Sequence, residues 1–362
     1  MKNNYKPHLV KLMRLRTSMG RDFDNGICLD RNERVIPFSK DIIDDILNSI
    51  PKHAFNAYPD PESFYSALSE SFNITKDKFY VTNGITEGIR VVFETLVSPG
   101  DKVVTISPTY PMYKVYSDIY QANLCEVKFR DDLTLSFNEL YSSIDGNTKV
   151  VFLPNPNLPI ESVFNIEELK RLAKKCLESG AVFVVDEAYA FFGARSAVPL
   201  IEEFDNLVVF QTFSKALGLA GIRLGYMVSN EENIEYLSKT RSLVESNAVS
   251  MAIGEYILKH PEITNDYVDS LNQGRKYIKE ELSKMGFKYS GGSFTNGMLI
   301  FLNSEQETSE LIEYLKKRNI YVRGSFGEPI KNCVRLTLGP TQAMEEFATC
   351  LKERKKVCAV GG

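Results

Sequence analysis

The sequence predicts an α/β protein: a largely parallel sheet covered on both faces, followed by a smaller α+β unit. Two patterns carry this. Between about residues 78 and 229, short continuous apolar runs alternate with amphipathic helical stretches. Beyond about 230 the texture changes to long helical segments and then alternating strands. With 362 residues, 43% of them hydrophobic, the chain can build a sizeable core, and its length suggests two domains.

The elements follow in order. Ser39 is placed to cap a helix carrying Ile42, Ile43, Ile46, Leu47 and Ile50. Lys78-Phe79-Tyr80-Val81-Thr82 reads as a strand. Ile85, Ile89, Val92, Phe93 and Leu96 then share one helical face. After the Gly100-Asp101 turn come the strands Val103–Ile106 and Val150–Leu153. The helix near 166–179 has Asn165 as N-cap, Glu168 three positions on and Gly180 as its stop. Strands follow at 182–185, 207–210 and 224–227. A helical stretch over roughly 231–285 is broken near Pro261. Strands at 298–302, 320–323 and 334–338, with a helix around 307–318, complete the second unit. Residues 1–44 form an arm or join the smaller domain, 45–240 the large domain and 241–358 the small one. Residues 359–362 are expected to be a loose tail.

Composition narrows the function. A net charge of −4 gives no electrostatic reason to expect nucleic acid. No apolar run approaches the length of a membrane span, and the N-terminus lacks a signal-peptide core. Six scattered cysteines read as free thiols of a reducing cytosol, so a cytoplasmic location is expected. Three distant histidines offer no metal site.

The chemistry centres on Lys215, in Thr212-Phe213-Ser214-Lys215, followed by Arg223 in a glycine-punctuated turn. An amine that can form an imine, with hydroxyls and a guanidinium nearby, suits an aldehyde cofactor carrying a phosphate, namely pyridoxal 5'-phosphate (PLP). Alone, such a lysine is usually a solvated surface residue. Five further motifs argue otherwise. Asp186, at the end of a buried strand, can pair with a protonated pyridine nitrogen, and Tyr189 lies three residues on. Gly84, Ile85 and Thr86 form a strand–turn–helix start suited to a phosphate. Tyr110 can stack on a ring, and Tyr58 stands in a proline-stiffened loop. Arg335, in a late strand, can hold a carboxylate or phosphate bidentately. Each has an ordinary structural explanation by itself; their order along one chain is what counts.

This order resembles the fold-type-I PLP enzymes, and more narrowly the class I/II aminotransferases on the histidinol-phosphate aminotransferase branch. The resemblance runs from about Leu29 to Leu351. It implies the PLP-transferase architecture, with a mostly parallel seven-stranded sheet in the large domain. Lys215 would be the Schiff-base lysine and proton shuttle, Asp186 the partner of the pyridine nitrogen and Tyr189 that of the ring hydroxyl. Tyr110 would stack on the ring. Gly84, Ile85, Thr86, Thr212, Ser214 and Arg223 would hold the phosphate. Tyr58 would reach the neighbouring site of a homodimer, and Arg335 would bind the carboxylate of an amino donor, expected to be glutamate.

Two stretches depart from the family pattern. Where Asn-Pro-Asn-Asn-Pro-Thr-Gly is usual, this chain has Asn155-Pro156-Asn157-Leu158-Pro159-Ile160-Glu161, so Leu158 replaces an amide expected to donate to the ring oxygen. Losing a donor to a charged acceptor costs about 1–3 kcal/mol; a shift of Asn157 would be the way to compensate. The second stretch, Leu29-Asp30-Arg31-Asn32-Glu33-Arg34, is richer in arginine, with Arg14, Arg16 and Arg21 upstream. Arg34 and Arg323 are thus further candidate anion contacts, and the acceptor is expected to be a small anionic carbonyl compound, a phosphorylated one being the narrower expectation. The rival readings are a PLP-dependent decarboxylase of a phosphorylated amino acid and a non-catalytic binding protein that keeps this fold.

Overall fold

The structure, a computed structural model, describes residues 5–12 and 20–360. After a short strand, β1 (Ile27–Leu29), helix α1 spans Lys40–Ser49, capped by Ser39, which accepts from the Ile42 amide. Only Ile46 of its apolar stripe is buried. Ile43 and Leu47 stay 40% and 59% exposed, so the expected core face is not covered within this chain. Helix α2 (Glu62–Phe72) leads into the large sheet.

That sheet holds seven strands: β2 (Phe79–Thr82), β3 (Lys102–Ser107), β4 (Asn123–Lys128), β5 (Thr148–Pro154), β6 (Val182–Asp186), β7 (Leu207–Thr212) and β8 (Gly225–Val228). Their spatial order is β2-β8-β7-β6-β5-β3-β4. All pairings are parallel except those of β8, which runs against both neighbours. Sequence reading missed the edge strand β4, whose Asn-Leu-Cys-Glu-Val-Lys buries only Val127 and so lacks a continuous apolar run.

Alternate residues of the central strands point to opposite faces. Val151, Leu153, Phe183, Val185 and Val209 pack with Leu169, Leu172 and Cys176 of α6 (Ile166–Glu178). Val150, Phe152, Val184, Val208 and Phe210 pack on the other face with Ile89, Val92 and Phe93 of α3 (Ile85–Leu96). α6 has the predicted capping box, with Asn165 and Glu168 each bonding the other's backbone N–H. Two short helices, α4 (Met112–Tyr120) and α5 (Phe137–Ser143), complete the crossovers.

The helical stretch after residue 230 divides into α7 (Glu231–Leu237), α8 (Ala248–Lys259) and α9 (Pro261–Lys284). Pro261 opens α9 at a position where its missing N–H costs nothing. A second layer follows: β9 (Lys288–Gly291), β10 (Gly297–Phe301), α10 (Glu305–Lys316), β11 (Ile320–Val322), β12 (Cys333–Thr337) and α11 (Thr341–Val360). β12, β10 and β9 form an antiparallel sheet. β1 runs parallel to β11, and a bridge between Arg323 and Arg335 ties β11 to β12. The arm is thus stitched to this layer. Ala359 and Val360 end α11 rather than starting a tail, and residues 361–362 lie outside the described residues. Cys28, Cys125, Cys176, Cys333 and Cys350 are unpaired thiols. No helix among the described residues is long and apolar enough to cross a membrane.

Candidate active site

The reversed direction of β8 builds the site. Thr82 and Thr212 end β2 and β7, and both pair with Gly225 at the start of β8. Arg223, just before β8, therefore arrives at the edge where the parallel strands end and where Asp186 closes β6. Ligand sites of parallel α/β sheets lie at that edge.

Lys215 follows β7 in a turn held by bonds from the Phe213 amide to Leu224 O (3.1 Å) and from the Gly218 amide to Lys215 O (3.0 Å). Phe213, fully buried against Phe64 and Tyr226, anchors the turn. The Lys215 amine donates to Arg31 O at 3.0 Å and lies 5.9 Å from the centre of the Tyr189 ring. Burial, then the positive charges of Arg335 and Arg223, push its pKa down to about 8, against the opposing pull of Glu33 and Asp186.

Asp186 is 4% exposed. Burial pushes its pKa up to about 6, while hydrogen bonds from Tyr113 Oη (2.6 Å) and the Ala188 amide (3.0 Å) and the nearby Lys215 hold it down. The hydrogen bond from Tyr113 both favours the anion and aims the carboxylate. Tyr113 is itself buried and stacked on Phe152, with ring centres 5.1 Å apart. No sequence motif assigned Tyr113 a role; its place three residues after Tyr110, on the buried side of α4, was the available signal.

The phosphate candidates converge. Gly84 has φ +75, and a Cβ there would meet Arg223 Nη2 at 2.7 Å, so the guanidinium lies directly against the glycine. Ile85 and Thr86 open α3, so their N–H groups have no partner inside the helix. Arg223 Nη1 approaches Ser214 Oγ at 3.4 Å, and Thr212 Oγ1 donates to Ser214 Oγ at 3.1 Å. A glycine cradle, two free amides, two hydroxyls and a guanidinium match a phosphate monoester. Tyr110 stands beside this group, 40% exposed, its hydroxyl 2.8 Å from that of Thr86.

The other arginines separate. Arg335 Nη2 donates to Asp30 O at 2.6 Å, its Nε is buried without a hydrogen-bond partner, and among the described residues it has no ion-pair partner. Burial lowers its pKa, and its charge acts on both Lys215 and Tyr189. Arg323 is exposed and meets Arg335 through the backbone. Arg34 lies between two rings, 4.2 Å from the centre of Phe38 and 4.0 Å from that of Tyr267, and donates to Ile36 O. Arg21 is committed to Asp30 (3.2 Å) and Glu33 (2.7 Å), and Arg14 and Arg16 lie outside the described residues. Tyr58 is 82% exposed.

The altered loop is fully engaged. Asn157 accepts from Thr109 Oγ1 (2.7 Å) and donates to Ile160 O (2.8 Å) and Pro108 O (3.2 Å), so its amide has not turned to replace the one lost at Leu158. Leu158 fills the gap above Gly297, where a Cβ would meet its Cδ1 at 2.8 Å. Glu161 reaches the turn between β9 and β10, accepting from the amides of Ser293 (2.9 Å) and Phe294 (3.1 Å) and from Thr295 Oγ1 (2.7 Å). Neither this role of Glu161 nor the hydrogen bond from Asn32 to Tyr189 (2.9 Å) was visible in the sequence.

A buried lysine, a strand-end aspartate and a glycine–arginine cradle at one sheet edge are the arrangement expected of a fold-type-I transferase. The profile of the family described as "Aminotransferase class I and II" matches residues 25–351, and the chain belongs to that family of PLP-dependent transaminases. Among its relatives, the histidinol-phosphate aminotransferase of Clostridium novyi is 30% identical over 329 residues, covering 90% of this chain and 91% of that one. The enzyme of the same name from Thermotoga sp. is 32% identical over 314 residues, covering 85% and 88%. Among solved structures, Sinorhizobium meliloti histidinol-phosphate aminotransferase in complex with pyridoxal-5'-phosphate superposes with a TM-score of 0.85, at 22% identity over 97% of each chain. The Clostridium acetobutylicum enzyme gives 0.81, at 22% identity over 91% of this chain and 99% of that one.

Proposed function

We propose that this chain transfers an amino group between an amino acid donor, glutamate in the simplest case, and a small anionic, phosphorylated carbonyl compound. The observation that carries this reading is that the Arg335 charge helps hold the buried Lys215 amine at a pKa of about 8, while the Arg335 guanidinium itself has no ion-pair partner among the described residues. Bound PLP supplies an aldehyde for amines and a ring that accepts electrons. Gly84, the Ile85 and Thr86 amides, Thr212, Ser214 and Arg223 would hold its phosphate. Tyr110 would lie on the ring face, Asp186 would face the ring nitrogen and Tyr189 would donate to the ring oxygen.

Lys215 then acts as the base. A free lysine is almost wholly protonated at neutral pH, whereas an amine with a pKa near 8 is neutral in roughly a tenth of the molecules and so can take a proton from the substrate α-carbon. Arg335 fixes the donor carboxylate and so orients that carbon–hydrogen bond. Arg323, exposed beside it, is the nearer candidate for a substrate phosphate; Arg34 would act through the packing of Phe38 and Tyr267.

We further infer a homodimer in the cytoplasm, with Tyr58 reaching the neighbouring site. Ile43, Leu47, Phe55 and Tyr58 are exposed in one short stretch, which is what a partner copy would cover. Residues 45–240 would be the cofactor-binding unit, and 241–358 with the arm the substrate-side unit. The test is a half-reaction screen. The protein is loaded with PLP and offered glutamate or histidinol phosphate, then loaded with pyridoxamine phosphate and offered carbonyl compounds with and without a phosphate. Conversion by phosphorylated compounds alone supports the reading. Release of carbon dioxide from a phosphorylated amino acid, without any keto acid, would replace it with decarboxylation, the alternative that the Leu158–Glu161 departure keeps open.

A further inference from the structure

We propose that Asn32, an arm residue, is a positioning residue that fixes the direction of the Tyr189 hydroxyl. The inference rests on the reading of this site as a PLP site.

Asn32 is 2% exposed and has φ +56, a left-handed backbone that asparagine tolerates better than most residues. Such a conformation persists where the surroundings over-determine it. Here four hydrogen bonds do so. The Asn32 amide N–H donates to Thr337 Oγ1 (3.0 Å), and Thr337 Oγ1 donates to Asn32 Oδ1 (3.1 Å). Asn296 Nδ2 donates to Asn32 O (3.1 Å), and Asn32 Nδ2 donates to Tyr189 Oη (2.9 Å). Because Thr337 takes the carbonyl end of the side chain, the NH₂ end must face the phenol.

The consequence for Tyr189 is directional. With one lone pair of its oxygen occupied by Asn32, the phenol's own proton is left to point elsewhere, and it becomes a donor to an acceptor in the site. Without Asn32 the hydroxyl rotor is free. Leu158 closes the space above Gly297, and a Cβ on Gly297 would stand 2.8 Å from Leu158 Cδ1 and 3.6 Å from Asn32 Nδ2. The bare glycine makes room for Leu158, while Asn32 Nδ2 lies at ordinary contact distance from the same position. Asn157 is turned to Thr109, Pro108 and Ile160.

The experiment uses the protein reconstituted with PLP and follows its visible absorbance band against pH. A donor to the ring oxygen draws charge from it and weakens its hold on the proton shared with the Lys215 nitrogen, so losing the donor raises the midpoint. Tyr189→Phe should raise it by about one pH unit or more. Asn32→Gly, which suits the left-handed backbone while removing the amide, should raise it by about half that amount. Asn32→Asp keeps the shape but turns the donor into an acceptor that draws the Tyr189 proton away, and should raise it nearly as far as Tyr189→Phe. In the double variant, Asn32→Gly should add nothing to Tyr189→Phe. An unmoved midpoint in both Asn32 variants, or additive shifts in the double variant, would overturn the proposal. A wild-type protein that forms no visible band would instead remove the PLP reading itself, so the two failures are distinct.

Discussion

The floor and the wall of this site are built by different means. The floor consists of Lys215, Asp186, Arg223 and the Gly84–Thr86 turn, all at the ends of strands in one sheet. The wall consists of Asn32 from the arm, Leu158–Glu161 from a loop, the turn at residues 293–295 and Arg335 from the second sheet. On the floor, the structure brings together at one sheet edge the residues that the resemblance led us to expect there. On the wall, the usual amide is an apolar side chain, and the usual Thr-Gly pair is an isoleucine and a glutamate that reaches across to another turn. The sheet edge is geometrically fixed and carries the chemistry common to a family, whereas the wall can be rebuilt without disturbing it.

If that division holds, changes to the floor should have the largest effects and should act on the cofactor. Lys215→Ala should abolish the borohydride-reducible visible band and lower turnover by about 10²–10⁴-fold, the usual weight of a general base. A surviving band would place the reactive amine elsewhere and break the comparison at its root. Arg223→Ala should come next. It removes a charge-assisted contact of about 1.5–3 kcal/mol, and so weakens PLP binding by about 10–100-fold in an equilibrium titration, without moving the midpoint of the visible band as far as Tyr189→Phe does.

The floor also makes a pH prediction. The folded pKa of Lys215, about 8, lies below that of an unfolded lysine, 10.5. The charged amine therefore destabilises the unliganded fold fully below pH 8, and the cost disappears as pH rises from about 8 to 10.5. Lys215→Met should raise the Tm of the unliganded protein at pH 7, and the gap should close across that window. A gap that stays constant between pH 7 and 10 would mean that the amine is not held in a depressed state.

Legibility in the sequence follows the same division. The strands around Val150, Val184 and Val208 announced themselves because both sides of each strand are buried, and the floor residues follow them at fixed distances. The edge strand β4 did not, because only one of its sides is covered. Tyr113 was hidden because a buried tyrosine in an amphipathic helix looks the same whether or not its hydroxyl meets a carboxylate. Asn32 and Tyr189 are 157 positions apart, and Glu161 and Ser293 132, so no local pattern links them; the pairing of β1 with β11, the bonds of Asn32 to Thr337 and Asn296, and the β9–β10 turn bring them together. The α1 stripe was legible as a helix, but not as a face this chain leaves exposed.

Wall variants should leave PLP affinity nearly unchanged. Glu161→Ala strands the amides of Ser293 and Phe294 and the hydroxyl of Thr295 without their carboxylate, while Arg275 still holds the carbonyls of Ser293 (3.2 Å) and Thr295 (3.0 Å). The two Arg275 bonds remain of the five named. Amide exchange at Ser293 and Phe294 should quicken by about tenfold, the equivalent of roughly 1.4 kcal/mol, with a rise in KM and little change in PLP binding. An equal loss of PLP affinity would show that floor and wall are coupled.

The smallest effect should come from Leu158→Asn, which puts back the family's amide. The position is buried against Gly297, beside an Asn32 amide already committed to Tyr189. The new side chain exchanges apolar packing for a polar group whose best acceptor is the ring oxygen of PLP, which the Tyr189 hydroxyl already serves in our reading. A second donor to one oxygen adds less than the first. The midpoint of the visible band should therefore fall by less than about half a pH unit, and the unliganded protein should lose about 1–3 kcal/mol because the polar group is buried there without that acceptor. A large fall in the midpoint would mean that Asn32 and Tyr189 do not carry the role left by the missing amide, and that the wall of this chain is incomplete rather than rebuilt.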